Sequence, residues 1–323
     1  MEQTLGKMVL LWAGMLVAGV AAAQTYPAKP VRIVVPYAAG GPYDDIARTL
    51  GQRLTEIWGH PLIVENRGGA GGNIGAEVVA KAAPDGYTLL LGNAGPITVN
   101  PTLFKKLPYD PQRDLAPVGM LNASRMVLSV HPSLPAKNVK ELVALAKASP
   151  GKLSFASSGV GNLQHLGMEL LQIQAGMKMN HVPYKGAAPA FVDLIAGQVD
   201  SMFANIVGTM PHVRTGKLRA IAVTTVTRTA AAPEIPTIAE SGVPGYDHGP
   251  WNGLFAPAKT PPMVIAKIHA EVDRELQSPD VRKVFGNEGI EAVANKPDEF
   301  AAIIHEELVR WPKVVKAAGI KAE

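Results

Sequence analysis

The chain has 323 residues, 47% of them hydrophobic, no cysteine, and 31 basic against 27 acidic side chains, for a net charge of +4. The missing cysteines exclude disulfides, a thiolate nucleophile and a Cys-ligated metal, while a chain of this length buries enough core to do without such staples and suits two α/β lobes. Basic and acidic residues are interspersed, with no Lys/Arg block and no aromatic–basic interleaving, which excludes nucleic acid as a partner and slightly favours anionic small ligands.

At the N-terminus, Lys7, the apolar run Met8 to Val20 and Ala21-Ala22-Ala23 have the order of a secretory signal peptide, predicting cleavage near Ala23 and a mature start at Gln24. The apolar run falls short of the about 20 residues that a membrane span needs. No cysteine follows it, so a lipoprotein anchor is excluded.

The β-branched run Val31–Val35 predicts a strand, stopped at Pro36. A small-residue turn follows (Tyr37, Ala38, Ala39, Gly40, Gly41), and then a helix over Asp44–Trp58 with Asp44 as its N-cap. Strand, glycine turn and helix N-terminus together aim free backbone N–H groups and the positive end of the helix dipole at one point, a site for an anion. The turn lacks Lys-Ser/Thr and a full G-x-G-x-x-G, which argues against a nucleotide phosphate and for a carboxylate. Next come a strand over Leu62–Glu65, a helix over Asn73–Ala82 and a strand over Thr88–Leu91. The glycine-rich stretch Glu65 to Gly75 has its last glycine one residue late for a dinucleotide fingerprint, so it is expected to be a structural loop.

After a Pro-rich passage from Pro101, strands are expected over Leu115–Leu121 and Met126–Val130, around the first passage between lobes. A second α/β set follows, with strands over Leu153–Ala156, His181–Tyr184, Ser201–Ala204 and Ala220–Thr224 and helices over Asn138–Ala148, Asn162–Ala175, Ala187–Ala196 and Val207–Thr215. The turn Ser157-Ser158-Gly159-Val160-Gly161-Asn162, with His165 in the first helical turn, repeats the logic of the first loop and adds side-chain donors. A Pro/Gly-punctuated loop spans Ala230 to Pro250, a strand returns over Gly253–Pro257, and the rest is helical (Pro262–Leu276, Pro279–Phe285, Pro297–Ala318). Strands alternating with helices predict a mainly parallel sheet in each lobe. Two lobes joined by more than one crossing predict hinge closure over a ligand held between them.

No G-x-S-x-G, H-E-x-x-H or S-x-x-K constellation is present, and the eight histidines lack metal-ligand spacing. The residues thus point to binding without catalysis, metal or cofactor. The competing class, an exported enzyme on the same scaffold, would need a nucleophile–base pair in the cleft.

These stretches also carry a family likeness. Tyr26-Pro-Ala-Lys-Pro30, the Val35-Pro-Tyr-Ala-Ala-Gly-Gly41 turn, Glu65-Asn-Arg67, Gly69-Ala-Gly-Gly-Asn-Ile-Gly-Ala76, Pro84-Asp-Gly-Tyr-Thr-Leu89 and Leu107-Pro-Tyr-Asp110 lie in the first half. His181-Val-Pro-Tyr-Lys-Gly186, Gly197-Gln-Val-Asp200, Gly216-Lys-Leu-Arg219, Pro236-Thr-Ile-Ala-Glu240 and Trp251-Asn-Gly-Leu-Phe-Ala-Pro257 follow in order. The whole mature chain resembles the extracytoplasmic solute receptors of tripartite tricarboxylate transporters, the Bug receptors. The resemblance implies a two-lobe clamshell of the type II periplasmic binding protein kind. It places residues 24–124 and 251–323 in lobe 1 and 125–250 in lobe 2. It further implies a periplasmic, monomeric protein that binds a small organic carboxylate (a mono-, di- or tricarboxylate or an aromatic acid) and delivers it to a membrane permease. By the same likeness the ligand is held by the Tyr37–Gly41 turn and by the Ser157–Asn162 loop (Ser157, Ser158, Gly161 and Asn162), with Asn205 and Trp251 also facing the cleft; His165 is a further candidate contact from its place in the first helical turn. Tyr43 departs from the hydroxyl residue common before the Asp of that family's first turn, and Asn162 replaces a frequent small hydroxyl residue; a phenol at position 43 narrows the pocket, stacks on an aromatic acid or points away.

Overall fold

The computed structural model describes residues 26–229, 232–287, 290–293 and 295–320; the expected signal peptide, its cleavage point at Ala23 and Gln24 lie outside them. One lobe is built on a six-stranded sheet of β1 (Val31–Val35), β2 (Leu62–Asn66), β3 (Thr88–Asn93), β4 (Leu115–Ser124), β10 (Trp251–Pro257) and β11 (Ile290–Ala292), in the order β11-β4-β10-β3-β1-β2. The other is a five-stranded sheet of β5 (Met126–Val130), β6 (Ser154–Ser157), β7 (Asn180–Pro183), β8 (Ser201–Asn205) and β9 (Arg219–Val223), in the order β7-β6-β8-β5-β9.

The all-apolar look of β1 follows from burial on both faces. Val31, Ile33 and Val35 pack with Ile46, Leu50 and Leu54 of helix α1 (Pro42–Trp58), whereas Val34, pointing the other way, packs with Ala76 and Val79 of α2 (Asn73–Ala80). Lobe 2 repeats the scheme. Phe155 and Phe203 lie in the cluster with Leu142 of α3 (Val139–Ala148) and Leu170 of α4 (Leu163–Ala175), while Ala156 and Met202 face Ala190 and Leu194 of α5 (Ala187–Ile195). α6 (Ile206–Arg214) follows β8, and three helices close the chain: α7 (Pro262–Leu276), α8 (Pro279–Asn287) and α9 (Pro297–Ala317).

The expectation of mainly parallel sheets is corrected to mixed ones. β1 pairs in parallel with β2 and β3, but β10 is antiparallel to both β3 and β4, and β11 to β4. In lobe 2, β6 is parallel to β7 and β8, while β5 is antiparallel to β8 and β9. The cause is the double crossing: β5 and β10 each start at the hinge and must run away from it, against strands that run toward it. The carboxyl ends of β1, β3, β6 and β8 therefore all point at the gap between the lobes, where open α/β sheets place their ligands. The edge strand β11 had no expectation in the sequence. At the hinge the crossing strands run side by side: Ser124 N–H donates to Pro250 O at 2.7 Å, and Asn252 Nδ2 donates to Asn122 Oδ1 at 2.8 Å.

The division of the C-terminal part differs from the expectation that residues 251–323 all sit in lobe 1. Phe300 and Ile304 of α9 enter a lobe 1 cluster, but Trp311, Val314 and Val315, two turns further, enter the main cluster of lobe 2. A single helix thus packs into both lobes.

Candidate functional site

Between the lobes lies a cleft of about 620 Å³, within the size range of small-molecule sites. Lobe 2 contributes five consecutive lining residues, Val160 to Gln164, together with Ser158 and Asn205. The backbone there is set by two glycines at positive φ, Gly159 (+150°) and Gly161 (+76°). A Cβ on Gly161 would come within 2.7 Å of Leu103 Cδ1 of lobe 1, so this position is also a close approach across the cleft.

Asn162 is the N-cap of α4: its Oδ1 accepts from His165 N–H at 2.9 Å, and its Nδ2 donates to Ser158 Oγ at 2.8 Å. Gln164 Oε1 accepts from Ser158 N–H at 2.8 Å. With these bonds made, the amides of Leu163 and Gln164 have no acceptor among the described residues, and the Ser158 hydroxyl, already an acceptor, keeps its proton to donate. An anion here meets two helix N-terminal amides, one hydroxyl and the positive end of the helix dipole.

Beneath this loop, Ser157 and His165 are buried and do not line the cleft, contrary to the expectation of ligand contact. The His165 ring is stacked on His181 with centroids 3.7 Å apart, and its Nδ1 accepts from Gly161 N–H at 3.0 Å. Ser157 Oγ lies 2.8 Å from Gly159 O and 2.7 Å from His181 Nε2. A carbonyl only accepts, so the hydroxyl donates to it and His181 donates through Nε2–H. Both residues brace the loop from below. Burial, together with the neighbouring His165, pushes the His181 pKa down to about 4, so its ring is neutral at physiological pH.

In lobe 1 the first glycine turn behaves differently from the expectation. Ala38, Ala39 and Gly40 are exposed, and neither they nor Gly41 line the cleft. Gly41, not Asp44, is the N-cap of α1. Asp44 stands at the third helical position and reaches back, its Oδ2 accepting from Gly40 N–H at 2.9 Å and from Arg48 Nε at 2.8 Å. The carboxyl is buried, and Arg48 above all, with the Gly40 amide, holds its pKa below the usual range. This helix terminus carries its anion internally.

What lobe 1 presents to the cleft is aromatic and amide-bearing. Tyr37 and Tyr43 are stacked, centroids 4.3 Å apart with 21° between planes, and both line the cleft. Tyr37 Oη and the Asn93 amide exchange hydrogen bonds of 3.0–3.1 Å. Burial raises both phenol pKa values, so both stay protonated.

Several lining residues were missed in the sequence. Gly71 belongs to the stretch expected to be purely structural, yet it lines the cleft, and its carbonyl accepts from Asn100 Nδ2 at 3.0 Å. Asn93 and Gly95, at the carboxyl end of β3, and Ser124, Arg125 and Met126, at the hinge, line it as well. The signal for the first pair was Asn-Ala-Gly directly after a parallel strand; for the hinge residues it was their position between two lobes. Trp251, expected in the cleft, is instead buried in lobe 1, edge-on to Phe300 at 5.1 Å with its Nε1 donating to Glu307 Oε2 at 3.1 Å. The reason is strand alternation: the side of β10 that carries Trp251 also carries Phe255, which packs in the same cluster.

Two α/β lobes closing on a cleft lined by helix N-terminal amides define a solute-binding protein. The profile described as "Tripartite tricarboxylate transporter family receptor" matches residues 46–320, and the chain belongs to that family of periplasmic receptors. It is 39% identical over 308 residues to protein BugT of Bordetella pertussis, covering 94% of each chain. Among solved structures it resembles R. palustris Rpa4515 with adipate, at 35% identity and a TM-score of 0.74 over 92% of this chain and 99% of that one. It also resembles MatC of Rhodopseudomonas palustris with bound malate, at 36% identity and a TM-score of 0.71 over 90% of this chain and 100% of that one.

Proposed function

We propose that this receptor captures a small organic carboxylate between its lobes, leaves it chemically unchanged and hands it to the membrane subunits of its transporter. The observation that carries the reading is the first turn of α4, where Ser158, Leu163 and Gln164 line the cleft and the Leu163 and Gln164 amides and the Ser158 hydroxyl have no acceptor among the described residues. That the solved relatives hold adipate and malate supports the same ligand class. Among the described lining residues none is an Asp, Glu or His of the kind that serves as a general base, which supports binding over chemistry. Export to the periplasm after cleavage near Ala23 and function as a monomer complete the proposal.

Titration calorimetry against mono-, di- and tricarboxylates, with mass spectrometry of the recovered ligand, tests it. Saturable binding with the ligand recovered intact is the expected outcome. Turnover of the ligand, or no binding by folded protein, contradicts it. Asn162→Ser, which keeps a capping oxygen but loses the amide tie to Ser158, is expected to bind more weakly with its thermal midpoint nearly unchanged, checked by the same titration beside a melt.

A further inference from the structure

Beyond the carboxylate, the walls of the cleft define the body of the ligand. Among the described lining residues Arg125 is the one formally charged side chain; it stands at the hinge, ion-paired with Glu291 and donating to Thr227 Oγ1 at 3.2 Å, and its buried Nε has no hydrogen-bond partner among the described residues. The helix terminus of lobe 1, which a second carboxylate would need, is filled by Asp44. In its place stands Tyr43, stacked on Tyr37, and the apolar side chains of Val99, Leu103 and Phe104 also line the cleft. A second carboxylate turned toward these aromatic and apolar groups, away from Arg125 at the hinge, would leave water for surroundings that carry no charge to receive it, a transfer that is strongly unfavourable. A flat apolar ring meets the opposite situation, since aromatic faces attract one another beyond the gain from area alone.

We infer that the ligand is an aromatic carboxylate, with a carboxylate on the first turn of α4 and its ring against the Tyr43–Tyr37 pair. The inference rests on the carboxylate reading above and narrows it. Position 43 then acts as the specificity determinant: Tyr43 gives the lobe 1 wall of the cleft an uncharged aromatic face.

The test is calorimetric titration of the purified protein, unfolded and refolded to strip carried-over ligand, with benzoate, phenylacetate, adipate, malate and citrate. One of the two aromatic acids is expected to bind at least about tenfold more tightly than any of the three aliphatic acids. Tyr43→Phe is expected to keep that affinity, and Tyr43→Ser to lose about tenfold for the aromatic acid, with thermal melts confirming that both variants are folded. A preference of the unsubstituted protein for adipate, malate or citrate overturns the aromatic assignment while the carboxylate reading stands. Silence toward all five acids from folded protein overturns both. Equal affinity of Tyr43→Ser and the unsubstituted protein for the aromatic acid removes Tyr43 as the determinant.

Discussion

Two histidines show how single residues tie this receptor to pH. His181, braced under the second glycine loop, has its pKa pushed down to about 4 by burial and by His165. His248, with Nε2 donating to Leu163 O at 2.8 Å and its ring edge-on to Trp311, has its pKa pushed down to about 3 by burial and by Arg310. For both, the folded pKa lies below the ordinary 6.5, so the unfolded chain binds the extra protons. Their stabilising effect is complete above about pH 6.5 and is lost as the pH falls toward 4, at up to about 1.4 kcal/mol per pH unit for each ring. Glu307, whose pKa burial raises, works the other way, but it is one group against two. Urea unfolding at pH 7.5, 6 and 5 is expected to show a falling stability, and a flat profile would sink this account. A cap is a second single-residue effect: Asn162→Ala removes the oxygen that His165 N–H requires and is expected to cost about 1 kcal/mol of stability in denaturant titration, beyond any loss of ligand.

At the scale of elements, α9 matters most. Its N-terminal half buries Phe300 and Ile304 in lobe 1 and its C-terminal half buries Trp311 and Val315 in lobe 2. Between the halves sits the buried Glu307, whose Oε2 accepts from Thr98 Oγ1 at 2.7 Å and from Trp251 Nε1 at 3.1 Å, and whose Oε1 faces Arg310 Nη2 at 3.3 Å. Removing the carboxylate leaves the buried Trp251 N–H without its acceptor, the Thr98 hydroxyl with only Ala94 O and the Arg310 guanidinium with only Asp247 O, and opens a cavity where the side chain stood. Glu307→Ala is therefore expected to lose about 2–4 kcal/mol in equilibrium unfolding. Glu307→Gln keeps an acceptor for Thr98 and Trp251 and removes a carboxylate that burial already disfavours, so it is expected to lose no more than about 1 kcal/mol. Equal losses in the two variants would show that shape, not hydrogen bonding, is what Glu307 contributes.

For the molecule as a whole, three strands of covalent chain link the lobes: the β4–β5 passage at Arg125, the return at Pro250, and the long helix α9. The first two cross side by side and form a hinge; α9 packs on both lobes, so closure has to move its two contacts relative to each other. A ligand that contacts both lobes binds the folded state alone, and at a hundredfold excess over its Kd it is expected to add about 2.7 kcal/mol to stability. Thermal melts with and without ligand check this, and small-angle scattering is expected to show a smaller radius of gyration with ligand bound. An unchanged melting temperature at saturating ligand would contradict it.

The sequence by itself determined the local units. Period-two and period-3.6 patterns and glycine punctuation placed nearly every strand and helix, because those signals live within a few neighbouring residues. The turn Ser158 to Asn162 and the capped helix start after it were legible for the same reason, since the capping side chain and positive-φ glycines are local features. The tertiary structure alone decided what depends on partners far along the chain. Strand direction in the sheets turned mixed because of the hinge crossings, and β11, only three residues long, gained its place from β4, to which it is paired. His165 and Trp251 went inward because His181 and Phe300, distant in sequence, were there to receive them. Asn93, Asn100 and Arg125 came to the cleft for the complementary reason: no local pattern marks a side chain whose role is set by the opposite wall. Tyr43 shows the limit best, because its identity was plain in the sequence while its stacking on Tyr37 required the turn between them to fold.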